Sequence, residues 1–136
     1  MKMAEEMNML PAIAFSRKRA SVLIYQSTVR ALGKPRFVRI LCNEKRKRLA
    51  IQVCAEKESG AIKIPKKRGR GSGLPKLFLL SSLVIQSRIW NLCGWETNEN
   101  YRVFGIFRQQ QELVEFDLTK ANAIPDELFL DPECPK

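Results

Sequence analysis

Residues 36–55, RFVRILCNEKRKRLAIQVCA, contain two alternating apolar runs on either side of a charged turn. Alternation with a period of two is typical of half-buried strands, so residues 36–43 and 48–55 predict an antiparallel hairpin. Pairing Asn43 with Arg48 collects the apolar side chains on one face, as the pairs Val38–Val53, Ile40–Ile51 and Cys42–Leu49. The same register puts Cys42 and Cys54 on opposite faces, where this hairpin cannot bridge them.

The segment before this hairpin predicts a strand followed by a short helix. Residues 21–25, SVLIY, are β-branched and aromatic, which favours a strand. In residues 26–32, Ser27 fits the N-cap position, and Gly33 stands where a left-handed residue ends a helix. Pro35 prevents the helix from continuing. After the hairpin, residues 61–64 fit a short edge strand.

The second half of the chain follows the same order of elements. Residues 74–80 predict a strand or the entry to a helix, and Ser81 or Ser82 caps a helix that runs to about Cys93 and ends at Gly94. The apolar side of this helix is Leu83, Ile85, Ile89, Trp90 and Leu92, and its wet side is Gln86, Ser87 and Asn91. Residues 101–108 and 112–118 predict a second hairpin around residues 109–111, with the facing pairs Phe104–Phe116, Ile106–Val114 and Arg108–Glu112.

These elements predict an α+β fold of two β-α-β-β units in a swapped-hairpin or small-barrel-like arrangement. The same order also arises by chance in small α+β chains, and residue identity between the halves is poor. One unit alone buries too little apolar surface, so the halves are expected to pack together or to pair with another copy. The predicted organisation is a flexible N-terminus (1–15), a basic unit (16–64), a basic Gly-rich linker (65–73), a second unit (74–120) and an acidic tail (121–136).

Positive charge is concentrated in the first half of the chain. The net charge is +10, and residues 16–76 alone have eighteen Lys and Arg against three Glu. Residues 77–136 have five basic residues against nine acidic ones. Such a split predicts a basic face that meets a polyanion, with a solvated basic surface as the alternative.

The linker PKKRGRGSG is a second predicted nucleic-acid-binding element. Its four cations are Lys66, Lys67, Arg68 and Arg70. Its Arg68-Gly69-Arg70 core resembles an AT-hook, in which glycine lets the backbone lie deep in a narrow minor groove. Gly71 stands where that motif commonly has proline. The alternatives are a solvated flexible linker and, in a eukaryotic source, a nuclear-import signal.

Side chains able to perform catalysis are scarce. The chain has no histidine, which removes the commonest general base and metal ligand, and it has neither a Walker-type phosphate loop nor a serine nucleophile elbow. The four cysteines are separated by 12, 39 and 41 residues, which fits neither a metal knuckle nor a dense disulfide framework. We therefore expect no enzyme, no cofactor and no metal site, with Cys42, Cys54 and Cys93 as reduced core thiols.

The first fifteen residues carry only a short apolar run, too weak for a signal peptide. No stretch approaches the length of a membrane-spanning segment. The expected location is the cytoplasm, without contact with a membrane.

The order Val29-Arg30-Ala31-Leu32-Gly33, followed by residues 37–42, a charged turn and residues 49–53, resembles the DNA-binding unit of AbrB-type transition-state regulators. That family includes the antitoxin MazE and the regulator MraZ. The chain is also similar to uncharacterised small proteins of Gram-positive bacteria and their prophages. The resemblance covers about 35 residues and implies DNA binding and hairpins exchanged between chains or repeats, hence a homodimer or an intrachain pseudo-dimer. The family's Gly-Arg before the first strand and its Ile-Pro at that strand's end are replaced by Arg17-Lys18-Arg19 and Tyr25-Gln26.

The predicted function is regulatory binding of duplex DNA through the basic half, in which phosphate neutralisation supplies most of the affinity. Arg30 and Arg39 are the arginines expected to reach base edges. The alternatives are an RNA or single-strand binder, which would need aromatic platforms, and a protein-interaction module such as an antitoxin or phage accessory factor with a partner on the acidic C-terminal half. The other predicted contacts outside the linker are Arg17, Lys18, Arg19, Lys34, Arg36, Lys45, Arg46, Lys47 and Arg48.

Overall fold

The computed structural model describes residues 10–18, 21–64, 77–81, 83–96 and 98–126, with the backbone alone for 77–81 and 83. Two helices lie in these ranges, α1 (Gln26–Ala31) and α2 (Leu83–Cys93), together with a 3-10 turn at Leu118–Lys120. The strands are β1 (Ala12–Ser16), β2 (Ser21–Tyr25), β3 (Phe37–Asn43), β4 (Arg48–Val53), β5 (Ile62–Lys63), β6 (Leu77–Ser81), β7 (Asn100–Arg108), β8 (Leu113–Asp117) and β9 (Asn122–Ile124).

The strands form one curled half-barrel sheet in the order β5-β3-β4-β8-β7-β1-β2-β6, with β9 also paired to β7. Every strand pair is antiparallel. The first half of β7 pairs with β1 and β9, and its second half pairs with β8. The predicted α+β class is therefore confirmed.

Strands from the two halves of the chain are interleaved in this sheet in blocks. β4 of the first half pairs with β8 of the second, and β2 pairs with β6. Inward side chains of β1, β4 and β8 form one core around Phe15, Ile51 and Phe116, all of which are buried. Residues from both 16–64 and 74–120 thus contribute to the same main hydrophobic cluster, and a smaller cluster lies around Leu23 and Tyr25.

The register of the first hairpin is confirmed: Val38 pairs with Val53, Ile40 with Ile51, and Asn43 with Arg48. Its four-residue turn 44–47 ends at Lys47, whose φ is 55°. The predicted strand at residues 21–25 and the edge strand near residues 61–64 are also present, as β2 and β5. Local patterns were therefore sufficient to place these elements: alternation in the hairpin, and β-branched and aromatic residues in β2.

The predicted register of the second hairpin is wrong by one residue. Gly105 pairs with Phe116 and Phe107 with Val114, because the turn comprises four residues, 109–112, rather than three. A slip of one residue moves every side chain of a strand to the opposite face. Phe104 and Ile106, which the predicted pairs set against Phe116 and Val114, are 48% and 59% exposed.

The expectation of a flexible N-terminus is wrong for residues 12–16, and the acidic tail begins with a strand. Residues 12–16 form β1, a strand that is buried along its whole length between β2 and β7. Its alanines and aromatic ring suit a central strand, which needs no polar face. In the tail, β9 pairs with β7 and buries Ile124. Residues 1–9 and 127–136 lie outside the described part of the chain.

Both helices end where predicted, but the N-cap of α1 and the burial of one residue of α2 differ from the prediction. Gly33 and Gly94 have φ of 82° and 65° and close α1 and α2 as expected. The N-cap of α1 is Tyr25 and not Ser27, without a side-chain cap bond. Gln86, expected on the wet side of α2, is 2% exposed, and its amide has no hydrogen-bond partner among the described residues.

α1 is fixed to β1 by one buried hydroxyl. The Thr28 Oγ1 donates to the carbonyl oxygen of Ala12 at 2.7 Å and accepts from the N–H of Ala12 at 2.9 Å. Because both backbone groups are buried, they would otherwise lack partners. α1 is thereby held at the start of β1, opposite the end from which Arg17 follows.

Candidate nucleic-acid interface

One side of the four strands β3, β4, β8 and β7 points away from the core, and we call it the open face. Its central row is Leu41, Ala50, Glu115 and Ile106, and the row beside it is Arg39, Gln52, Leu113 and Arg108. Asn43 and Arg48 form a third row with Asp117. The open face therefore mixes apolar side chains from both halves of the chain with guanidinium groups.

The arginines of the open face are held by carboxylates. Glu115 accepts from Arg48 at 3.0 Å through one oxygen and from Arg108 at 3.1 Å through the other. The hydrogen bond from Arg48 lowers the pKa of Glu115, and a weaker contribution from Arg108 acts in the same direction against burial. Glu115 consequently stays ionised at neutral pH and fixes both guanidinium planes on the surface.

Arg39, one of the two predicted base-contacting arginines, is bound in a similar way. Its Nε and one terminal nitrogen donate to the Gln52 Oε1 at 3.0 and 2.9 Å, and another nitrogen lies 3.3 Å from Glu58. An arginine that is already partnered must exchange these contacts before it can bind a base. Arg30 has no such partner among the described residues and fits the predicted role better.

A depression of about 350 Å³ lies in the open face. Leu41, Ala50 and Leu113 give it an apolar floor, while Arg46, Arg48 and Arg108 stand around it with Glu115. This volume is at the lower end of small-ligand pockets. Its lining suits a group that combines a flat apolar part with negative charge.

At one end of the open face is the turn of the first hairpin, whose three cations Lys45, Arg46 and Lys47 we call the basic turn. The one carboxylate of this turn, Glu44, is paired with Arg88 of α2 at 2.8 Å. The turn is further held by three hydrogen bonds. The Arg46 N–H donates to the Asn43 Oδ1, the Lys47 N–H to the Glu44 carbonyl oxygen, and the Leu118 N–H to the Lys47 carbonyl oxygen. The three cations are therefore exposed on an anchored backbone.

The other end of β3 carries a second set of cations, Arg30, Lys34 and Arg36, which we call the helix-end group. Arg30 lies in the last turn of α1, where a cation also favours the helix dipole. Lys34 has φ of 55° and donates its N–H to the Val29 carbonyl oxygen. At about 3.3 Å per residue, the length of β3 separates this group from the basic turn by about 23 Å.

The basic turn and the helix-end group share one property. All six side chains belong to exposed residues, and none forms an ion pair with another residue in the described ranges. A cation without a carboxylate partner keeps its full charge available for a phosphate. Because they also stand in two clusters of three cations, these six residues form the strongest candidate for contact with a polyanion.

The remaining predicted contacts lie elsewhere. Arg17 and Lys18 follow β1 at its far end, and the Lys18 ammonium lies 3.5 Å from Asp126. Arg48 belongs to the open face and pairs with Glu115. Five of the predicted cations fall outside the described residues: Arg19, Lys66, Lys67, Arg68 and Arg70.

Sequence reasoning did not find the aromatic part of the open face. Phe104 was expected in the core, but the observed register places it outside, with the Arg102 guanidinium 5.2 Å from its ring centre. By contrast, Trp90, Trp95 and Tyr101 form a packed cluster in which Trp95 and Tyr101 stack at 4.4 Å. Gly105 is the residue from which the shifted register could have been predicted, because a glycine leaves room for the ring of Phe116.

The three described cysteines are free thiols, and burial raises the pKa of each. Cys42 is exposed rather than in the core, while Cys54 and Cys93 are half-buried. Over the described ranges no cluster of three metal-ligating side chains occurs. Neither described helix is long and apolar enough to cross a membrane.

Comparison of the chain with family models, with curated proteins and with solved structures gave no match.

Proposed function

We propose that this protein binds duplex DNA through the basic turn and the helix-end group. The observation that supports this most is the set of six exposed cations, without carboxylate partners in the described ranges, at the two ends of one strand. Nearby acids are engaged with other arginines, Glu44 with Arg88 and Glu58 with Arg39. The electrostatic attraction of the surface for phosphate is therefore left uncompensated at these two places.

The shape of the basic turn suits a groove of DNA. A two-stranded ribbon fits the major groove, and its tip places cations next to phosphates on either side. Most contacts in such an interface go to phosphate and sugar, which sets the position of the protein, and a few arginines read bases. Arg30 and Arg46 are our candidates for reading bases, because no acid of the described residues engages either guanidinium.

The resemblance to AbrB-type regulators supports duplex DNA as the target and supports a regulatory role. We also propose the finer arrangement that this resemblance implies, two β-α-β-β units with exchanged hairpins. Its support is that β4 pairs with β8 and β2 with β6, so each unit completes the sheet of the other. The family's homodimer then has a counterpart within one chain.

A salt series of binding titrations tests the proposal. Duplex DNA, single-stranded DNA and RNA of random sequence are titrated with wild-type protein and with the variants K45Q/K47Q and R30Q/K34Q. We expect duplex DNA to bind best, with an affinity that falls steeply with salt. Each phosphate that a variant leaves without a cation should reduce the slope of log K against log salt by about 0.9.

The matched control is K57Q/K63Q, which removes the same charge from two exposed lysines outside both cation groups. It should leave the slope close to that of the wild type. If all three double variants reduce binding equally, net charge alone is responsible and the proposed surface is wrong. Absence of duplex binding at near-physiological salt would contradict the proposal as a whole.

The open face supports a second candidate function, binding of single strands. Unpaired bases stack on exposed aromatic rings and on guanidinium planes, and Phe104, Arg48 and Arg108 offer both on one surface. This function is favoured if single strands bind more tightly than duplex DNA in the titration above and F104A removes that preference.

A further inference from the structure

The two hairpins are related position by position at a constant spacing of 65 residues. The turn 44–47 corresponds to the turn 109–112, and both are four residues long. The last residue of each turn is left-handed without being glycine, with φ of 55° at Lys47 and 54° at Glu112. Two turns of unrelated sequence thus adopt the same backbone geometry.

The hydrogen bonds between the hairpins obey the same relation. The Val53 N–H donates to the Glu112 carbonyl oxygen at 3.0 Å, and the Leu118 N–H donates to the Lys47 carbonyl oxygen at 2.9 Å. Adding 65 to the number of Val53 gives Leu118, and subtracting 65 from the number of Glu112 gives Lys47. The two bonds are therefore equivalent. The pairing of β4 with β8 is also symmetric, because Arg48 faces Asp117 and Gln52 faces Leu113. A local two-fold axis therefore passes between β4 and β8.

The chemistry of the two turns does not follow this symmetry. One turn carries Lys45, Arg46 and Lys47, whereas the corresponding positions of the other are Gln110, Gln111 and Glu112. In a symmetric homodimer both turns would have the same charge. Here β4 and β8 of one chain form the pairing that two chains would form in a homodimer. Of the two hairpin tips, only the one at residues 44–47 is basic.

We infer that one copy of this chain binds one DNA site with only one of its two hairpin tips, the basic turn, together with the helix-end group, so that the complex is one to one and the site has no dyad symmetry. This inference rests on the proposed function. Two basic tips related by a two-fold axis would require a palindromic target. A single basic tip removes that requirement, and the other tip, whose one charged residue is Glu112, faces away from the duplex.

The test is to transfer the basic turn to the other hairpin as Q110K/Q111R/E112K. The backbone at position 112 accepts lysine, because Lys47 has the same φ in the corresponding position. The expected result is a gain: a steeper salt slope by up to about 2.7, for about 0.9 at each of three newly neutralised phosphates, and a longer protected stretch of DNA in footprinting. Stoichiometry is measured by sedimentation of wild-type protein with a duplex of one site's length.

The control E96K/E99K adds the same charge at two exposed positions just before β7, away from its turn. It should change neither the footprint nor the stoichiometry. A two-to-one complex on a palindromic site, or a transfer variant that behaves like the control, overturns the inference while duplex binding persists. If the wild type binds no duplex at all, the proposed function fails instead, so the two failures are distinguishable.

Discussion

At the scale of single residues, Gly105 determines how β7 lies against β8. A Cβ at this position would stand 2.6 Å from the Val114 Cγ1 and 2.7 Å from the ring of Phe116. Both neighbours are fully buried, so neither can withdraw without disturbing the core. The absence of a side chain thus allows the observed register and directs Phe104 outward.

We therefore predict that Gly105→Ala lowers the free energy of unfolding by about 1–3 kcal/mol, as overpacking of a filled core does. Urea denaturation of the variant and the wild type measures this. Adding Val114→Ala should relieve part of the clash, so the double variant should lose less than the sum of the two single losses. A neutral G105A would show that neither Val114 nor Phe116 packs over this glycine, and strict additivity would show that Val114 does not.

A second residue-scale prediction concerns Glu115 and pH. A carboxyl whose pKa is lowered on folding contributes stability above its unfolded pKa of about 4.3, and this contribution disappears as pH falls through the folded value. The hydrogen bond from Arg48 is the main cause of the lowering at Glu115. The melting temperature of Glu115→Gln should thus be below that of the wild type at pH 7, and the difference should shrink below about pH 4. A difference that stays constant from pH 7 to pH 3 would contradict this assignment.

At the scale of elements, the two hairpins show what alternation in a sequence can and cannot predict. In the first hairpin, both strands have one clearly apolar face, and only one register buries it. In the second, Phe104, Ile106 and Phe107 give β7 apolar residues on both faces, so the pattern does not distinguish two registers. The length of the turn decides between the two registers. Its last residue, Glu112, has a left-handed backbone, but glutamate is not a residue type that indicates this conformation.

The observed register predicts unequal effects of two phenylalanine truncations. Phe116→Ala should cost about 3–5 kcal/mol of stability, because its ring is fully buried, and Phe104→Ala should cost much less because its ring is half exposed. Denaturant unfolding of both variants gives the comparison. Equal losses would favour the register in which Phe104 faces Phe116 inside the core.

At the scale of the whole molecule, the basic half and the acidic half of the sequence do not form separate surfaces in the folded chain. Glu115 and Asp117 of the second half lie beside Arg48 of the first, at 3.0 and 3.9 Å. The distribution of charge along the sequence predicts the basic turn and the helix-end group, because the cations of each group lie close together in the sequence. It could not reveal which arginines are neutralised, since that depends on β4 pairing with a strand more than sixty residues away.

The same long-range pairing explains why the sequence of residues 12–16 does not predict a strand. Their sequence AIAFS has no alternation of apolar with polar residues, and its burial depends on β2 and β7 lying on either side. The α+β class, the first hairpin and both helix ends follow from local patterns. The sheet order, the open face and the two-fold relation of the hairpins depend on contacts between the halves.

The central claim is that the exposed cations of the basic turn bind duplex DNA, and a salt titration of K45Q/K47Q beside the wild type and K57Q/K63Q tests it most directly. The account predicts a steep salt slope for wild type and K57Q/K63Q and a slope shallower by about 1.8 for K45Q/K47Q, about 0.9 for each phosphate that is no longer neutralised. Equal slopes for all three proteins, or no duplex binding by the wild type, would contradict it.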